Sequence, residues 1–260
     1  LGWRNPSRMD DLEYIDVTVA DANAELLFDR PEKLNPLNEQ VYGELLTALE
    51  RVQDDERVSA VILSGKGRAF SAGRDLDQSG PETKAELRQY LLTVRTGQEL
   101  LRAGRKPTIA AVNGPALGGG CAFALSCDFR IVADDAFLRD QHVDIGMTPD
   151  GRLVDLVGES KAKEYLLLGK DITAEAAERW GLALDVVDGD DVMNRAREVA
   201  ATLDAKPRCG VRHGKRLVTR EPDESFTEFV DAMWDCMNDP EHDEALSAMA
   251  ADRAPSYDRS

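Results

Sequence analysis

The sequence predicts an α/β fold, and three observations carry that expectation. Apolar runs of strand length alternate with segments of helical period from residue 14 to residue 187. One of those runs turns directly into a helix through three successive glycines, Gly118-Gly119-Gly120. The last third of the chain then loses its strands and reads as helices.

Taken in order, residues 14–28 read as two strands, YIDVTV and AELLF, joined by Asp21-Ala22-Asn23, whose residue types suit a tight turn. Val41, Leu45, Leu49 and Val52 recur at helical spacing behind Asn38, a natural helix cap. Residues 58–63 form an apolar run, interrupted only by Ser59 and bounded by Gly65 and Gly67, as a buried strand would. A charged stretch with Gly80-Pro81, residues 75–86, predicts an exposed, mobile loop, and a helix is expected over 87–103. A strand over 108–112, the glycine-led helix and a strand over 129–132 repeat the same order. Ser160 and Thr173 read as helix caps, with Gly169 and Gly181 at helix ends, and the strand over 184–187 is the last. Helical patterns cover 192–203, 211–219, 223–237 and 242–250; Phe226, Phe229, Met233, Trp234, Met237 and Met249 give them apolar surface suited to a subunit interface.

At 260 residues and 42% hydrophobic content the chain has ample material for a large core. No apolar stretch reaches membrane-spanning length and no secretion leader is seen, so a cytoplasmic protein without a membrane partner is expected. A net charge of −17 excludes nonspecific binding to nucleic acid or anionic lipid. Acidic pairs are dispersed along the chain and lysine is the minority among the basic residues, the pattern of a surface that stays soluble in high salt; a halophile source is expected. Cys121, Cys127, Cys209 and Cys236 lack metal-ligand spacing, so reduced thiols and no metal site are expected.

The chemistry-bearing feature is the glycine turn. Without Cβ atoms, its N–H groups can approach a ligand oxygen, and the helix start adds partial positive charge at the same point. Three ordered segments surround it: RPEKLNPLN at 30–38, GRAFSAGRDL at 67–76 and NGPALGGGC at 113–121. With CDFRIVA at 127–133 and GESKAKE at 158–164, they resemble the signatures of the crotonase superfamily, the enoyl-CoA hydratase/isomerase family.

That resemblance implies a crotonase-like spiral of ββα units over residues 1–190, with CoA and oxyanion sites. It also implies a helical C-terminal region over 191–260 that builds a homotrimer or a dimer of trimers. The substrate it implies is an acyl-CoA thioester, with no cofactor beyond the coenzyme A of the substrate itself. The N–H groups matching the family's oxyanion donors are those of Arg74 and Gly119, within the Gly73 and Gly118 turns. Ala72, Asp75 and Leu76 match the adenine pocket, and Lys33 matches a phosphate or ribose contact. Hydratases of the family use two glutamates to add water; the matching positions here are Ala122 and His142. Asp150 matches an aspartate of the family's isomerases, and the glycine-rich run that usually follows it is several residues shorter. Isomerisation with Asp150 as base and His142 as helper is therefore expected over simple hydration. The competing expectations are a noncatalytic acyl-CoA binder and a thioester hydrolase or C–C lyase using the same enolate.

Overall fold

The computed structural model describes residues 12–78, 81–219, 234–251 and 253–257. Its centre is a six-stranded sheet in the order β1 (Ile15–Ala20), β2 (Asn23–Phe28), β4 (Ala60–Gly65), β6 (Thr108–Val112), β8 (Phe129–Ala133) and β11 (Asp185–Val187). The first two strands form an antiparallel hairpin, turned by Asp21 and Ala22 at φ 48° and 60°. All later neighbours are parallel. β4 and β6 are buried along their whole length, which is why they read as continuous apolar runs with no alternation.

Short strands link the layers. β3 (Pro36–Leu37) pairs with β5 (Gly73–Arg74), and β7 (Ala116–Leu117) pairs with β9 (Phe137–Arg139), which also pairs with β10 (Ile172–Thr173). At two or three residues these strands have no periodicity to detect, and the sequence reading passes over them.

Helices α1 (Glu39–Asp54) and α2 (Lys84–Ala103) pack against one another, and α3 (Gly119–Ser126) is buried on every side from Gly120 onward. Asn38 caps α1 as expected, accepting from the Val41 N–H at 2.8 Å. α2 starts at Lys84, not at 87, because Thr83 and Glu86 form a capping box. Rings of Phe28, Phe70 and Phe123 meet with centroids 5.6 and 6.5 Å apart for the two pairs made by Phe28, tying β2 to α3.

Beyond β9 come α4 (Arg152–Val157), α5 (Glu159–Leu167) and α6 (Ala174–Arg179). Thr173 caps α6, but Ser160 is not a cap: α5 begins at Glu159 behind Gly158, whose φ of 81° makes the turn. α7 (Val192–Asp204), α8 (Arg208–Thr219) and α9 (Pro240–Ala250) complete the described elements. α7 buries Val192, Ala196, Val199 and Ala200 against β4, β6 and β8. The core thus runs past the boundary expected at residue 190, because α7 covers a sheet face that would otherwise lie bare. The expected helix over 223–237 falls mostly on residues 220–233, outside the described residues, as do Phe226, Phe229 and Met233. Among the described residues no helix is long and apolar enough to cross a membrane.

Candidate active site

β4 and β6 are parallel, so their C-terminal ends deliver the two glycine-bearing turns to the same edge of the sheet. Asparagines fasten them there. Asn35, fully buried at φ 55°, donates through Nδ2 to the Lys66 and Ala69 carbonyls at 2.9 and 2.8 Å. Asn113 donates to the carbonyls of Gly65 and Gly67 at 2.8 and 2.9 Å. Each pairs a buried backbone acceptor, at Ala69 and at Gly65, that would otherwise be left without a partner.

The two turns are pressed together. Ser71 bridges to Ala116, its N–H donating to the Pro115 carbonyl and its carbonyl accepting from the Leu117 N–H at 2.9 Å. Gly73 has φ 80°, and a Cβ there would lie 2.7 Å from the Leu117 carbonyl oxygen. A Cβ on Gly120 would lie 2.7 Å from that of Ser71. Gly118 is also at positive φ, 48°, and its N–H donates to the Arg139 carbonyl at 2.8 Å. Only glycine permits this approach at Gly73 and Gly120.

Two N–H groups are left over. The Asp75 N–H donates to the Leu37 carbonyl at 2.9 Å, which in a parallel ladder turns the Arg74 N–H to the opposite side of its strand. Gly119 opens α3, where the first N–H groups have no acceptor within the helix. Among the described residues neither N–H donates to a side chain or to a loop carbonyl.

Beside them stand groups that sequence reasoning missed. The Tyr42 hydroxyl would lie 2.8 Å from a Cβ on Gly119, hydrogen-bonds with Tyr90, and is reached by the Arg74 charge. Burial, then the Tyr90 hydroxyl, pushes the Tyr42 phenol well above its usual value, so it is a neutral donor. Tyr42 and Tyr90 carry an ordinary apolar helical pattern, which gives no warning that their hydroxyl ends meet the glycine turn.

The residues expected to move protons meet at Asp140, His142 through its ring and Asp150 through its main-chain N–H. Buried Asp140 accepts from His142 Nδ1 at 2.5 Å and from the His142 N–H at 3.1 Å on one oxygen; its other oxygen accepts from the Asp150 N–H at 2.8 Å. The hydrogen bond to Asp140 raises the His142 pKa, outweighing burial, which lowers it. The His142 Cε1 lies 3.9 Å from where a Gly118 Cβ would stand. Asp150 receives Gln98 Nε2 at 3.0 Å on Oδ2 and the Arg152 N–H at 2.9 Å on Oδ1. Its carboxylate therefore steadies the turn into α4 as well as facing α2. Ala122 is buried in α3 and offers no acid.

The predicted CoA residues separate from this cluster. Asp75 is buried and paired with Arg30 at 2.7 Å; burial pushes its carboxyl up, and the Arg30 and Asp77 N–H hydrogen bonds more than reverse that, leaving it lowered. Its carboxylate thus locks the 30–38 segment to β5, and Leu76 is 84% exposed. Lys33 pairs at the surface with Asp77 at 2.7 Å. Ala72 is held through its N–H to the Leu34 carbonyl at 2.8 Å.

The family model for enoyl-CoA hydratase/isomerase matches residues 19–255. The chain belongs to the enoyl-CoA hydratase/isomerase family. It is 36% identical over 207 residues to a Mycobacterium tuberculosis protein named probable enoyl-CoA hydratase, covering 78% of this chain and 80% of the relative. It is 34% identical over 227 residues to 4-chlorobenzoyl coenzyme A dehalogenase-2 of an Arthrobacter species, covering 84% and 81%. Among solved structures, the enoyl-CoA hydratase of Bacillus anthracis superposes with a TM-score of 0.89 at 28% identity, over 95% of this chain and all of that one. The mixed α/β architecture is that of the crotonase fold, as expected.

Proposed function

We propose that this chain is an enzyme that binds an acyl-CoA thioester, draws its carbonyl oxygen onto the N–H groups of Arg74 and Gly119, and moves a proton through Asp150 and His142. The relatives named for hydration and for dehalogenation differ in reaction but share a CoA thioester substrate, which supports that coarser part of the reading. When a base takes the proton from the carbon next to the thioester, negative charge develops on the carbonyl oxygen. Fixed donors aimed at that oxygen, away from water, lower the barrier by a few kcal/mol each.

The finer reading is isomerisation of an unsaturated acyl-CoA, and one observation supports it: Asp140 holds the His142 ring and the Asp150 main-chain N–H together, while Ala122 and His142 stand where hydratases have their two glutamates. One base that accepts a proton at one carbon and returns it at another needs no activated water. His142, whose Nε2 has no partner among the described residues, is the second proton carrier. Asp140 positions both. Exposed Leu87, Leu91 and Leu92 on α2, with Trp234 and Met237, support assembly into trimers or dimers of trimers; sedimentation at micromolar concentration tests it.

The test of the enolate is exchange. A saturated acyl-CoA incubated with the enzyme in heavy water should gain deuterium at its α-carbon, read by mass spectrometry, whatever the natural acyl group. A 3-enoyl- or dienoyl-CoA should then shift its double bond. Absence of both exchange and turnover, with tight acyl-CoA binding, makes the chain a noncatalytic binder. Water addition unimpaired in Asp150→Asn and His142→Gln removes isomerisation.

A further inference from the structure

The C-terminal helices bring together three soft metal ligands. Cys209 and His213 stand four residues apart on α8, one turn along the same helix face. Cys236, from the segment that leads into α9, meets them there. One ligand atom from each residue lies within 4.8 Å of the other two. We propose that Cys209, His213 and Cys236 bind a zinc ion, with Asp235 as the fourth ligand, and that the ion fastens α8 to the chain entering α9.

Two further observations point to an ion and not to a chance meeting. His213 is 8% exposed, and neither of its ring nitrogens has a hydrogen-bond partner among the described residues. A buried imidazole with both nitrogens idle is unfavourable in a folded protein, and a metal bond removes that cost. Cys209 is equally buried, at 7%, while Cys236 is half-buried, which leaves an entry path on one side. The Asp235 Oδ2 lies 3.6 Å from His213 Nε2, on the exposed flank of the cluster. In a tetrahedral site with bonds of about 2.0–2.3 Å, ligand atoms sit roughly 3.3–3.8 Å apart, so small side-chain movements suffice.

The donor set decides which metal. Two thiolates and an imidazole favour zinc over the hard cations magnesium and calcium, which take oxygen ligands. Uptake is balanced as one Zn²⁺ bound and the two thiol protons released to solvent, and the imidazole binds in its neutral form. With Asp235 the site would carry one net negative charge, and the Arg212 and Arg216 charges act on the same imidazole. Nothing in the sequence spacing reveals the site, because Cys236 lies 27 residues beyond Cys209 and only the return of the chain joins them.

The test uses the full chain, stripped with a chelator under reducing conditions and then titrated with Co²⁺ as a spectroscopic probe. One Co²⁺ per chain should bind, with thiolate-to-metal charge transfer and the visible bands of tetrahedral cobalt, and one equivalent of Zn²⁺ should displace it. Zn²⁺ should also raise the thermal unfolding midpoint of the stripped chain, which tests the fastening without any substitution. Cys236→Ser and His213→Ala should each weaken binding by at least about 10-fold. Cys127→Ser, a buried thiol elsewhere, should leave binding unchanged. Sub-stoichiometric or octahedral cobalt, signals independent of Cys209 and Cys236, or a midpoint indifferent to zinc would each overturn the proposal.

Discussion

The two edges of the central sheet are built on opposite terms. At the C-terminal edge, β4 and β6 end in glycine turns packed so closely that Cβ atoms at Gly73 and Gly120 would collide, yet among the described residues the Arg74 and Gly119 N–H groups donate to no side chain or loop carbonyl. At the N-terminal edge there is open space: cavities of about 750 and 830 Å³ run between the strand starts and α8. Two buried lysines there are fully engaged, although Arg208 Nε and Nη2 and Arg152 Nε have no hydrogen-bond partner among the described residues. Lys106 Nζ donates to the Val58 and Asp55 carbonyls, and Lys215 Nζ donates to those of Leu101 and Lys106 and pairs with Asp128 at 2.8 Å. Burial lowers the Lys106 pKa to about 8. What sets the proposed site apart from those cavities is a pair of main-chain donors in a closely packed turn.

The most severe way to break that comparison is to change one residue at each edge. Gly73→Ala forces a side chain into φ 80° against the Leu117 carbonyl and should lower kcat/KM by about 100-fold or more, as loss of an oxyanion donor does. Lys106→Met should instead lower stability, by about 1–3 kcal/mol for the carbonyls left unpaired, while the folded enzyme keeps its turnover. Denaturant unfolding alongside steady-state rates separates the two; equal losses of turnover per folded molecule would erase the distinction between the edges.

Next in size are the residues proposed to carry protons. Asp150→Asn should cost about 100-fold in kcat, in the range of lost general-base catalysis. Asp140→Asn should cost less, about 10-fold, because it loosens His142 and Asp150 without removing either. It should also move the pH profile of kcat, a change that simple loss of stability would not produce.

A pH titration sharpens the account further. His142 has its pKa raised above 6.5 in the fold, mainly by Asp140, so the native state holds this proton more tightly than the unfolded chain. Its contribution to stability is full below pH 6.5 and is lost as pH rises through the elevated folded value. With three histidines in the chain, ring-proton NMR can follow His142 directly, and Asp140→Asn should bring its midpoint down. A midpoint at or below 6.5 in the wild type would break the link. The smallest effect concerns the surface: with a net charge of −17 dispersed over the chain, molar KCl should raise the unfolding midpoint by relieving self-repulsion. A midpoint unchanged from dilute buffer would speak against a surface shaped for high salt.

Much of the α/β core was legible because its signals are local. The 108–112 strand, the Asn38 and Thr173 caps and the glycine turn are each written in a few adjacent residues, and each is found where expected. The capping box at Thr83 and Glu86 was equally local and was overlooked because charge in that segment reads as loop. What could not be read depends on contacts distant in sequence. Tyr42 and Tyr90 come from separate helices, Gln98 reaches Asp150 across 52 positions, and Cys209 meets Cys236 27 positions further on. α7 looks like part of a helical tail, and only the bare face of the sheet claims it for the core.

Carbonyl polarisation is the most direct measure of the proposed site. An acyl-CoA labelled with ¹³C at the thioester carbon should show, in isotope-edited infrared difference spectra, a carbonyl stretch moved to lower frequency on binding. That shift should persist in Asp150→Asn, which removes the base but not the donors, and should shrink in Gly73→Ala. A bound carbonyl vibrating at its frequency in water, alike in all three proteins, would contradict the assignment of the Arg74 and Gly119 N–H groups.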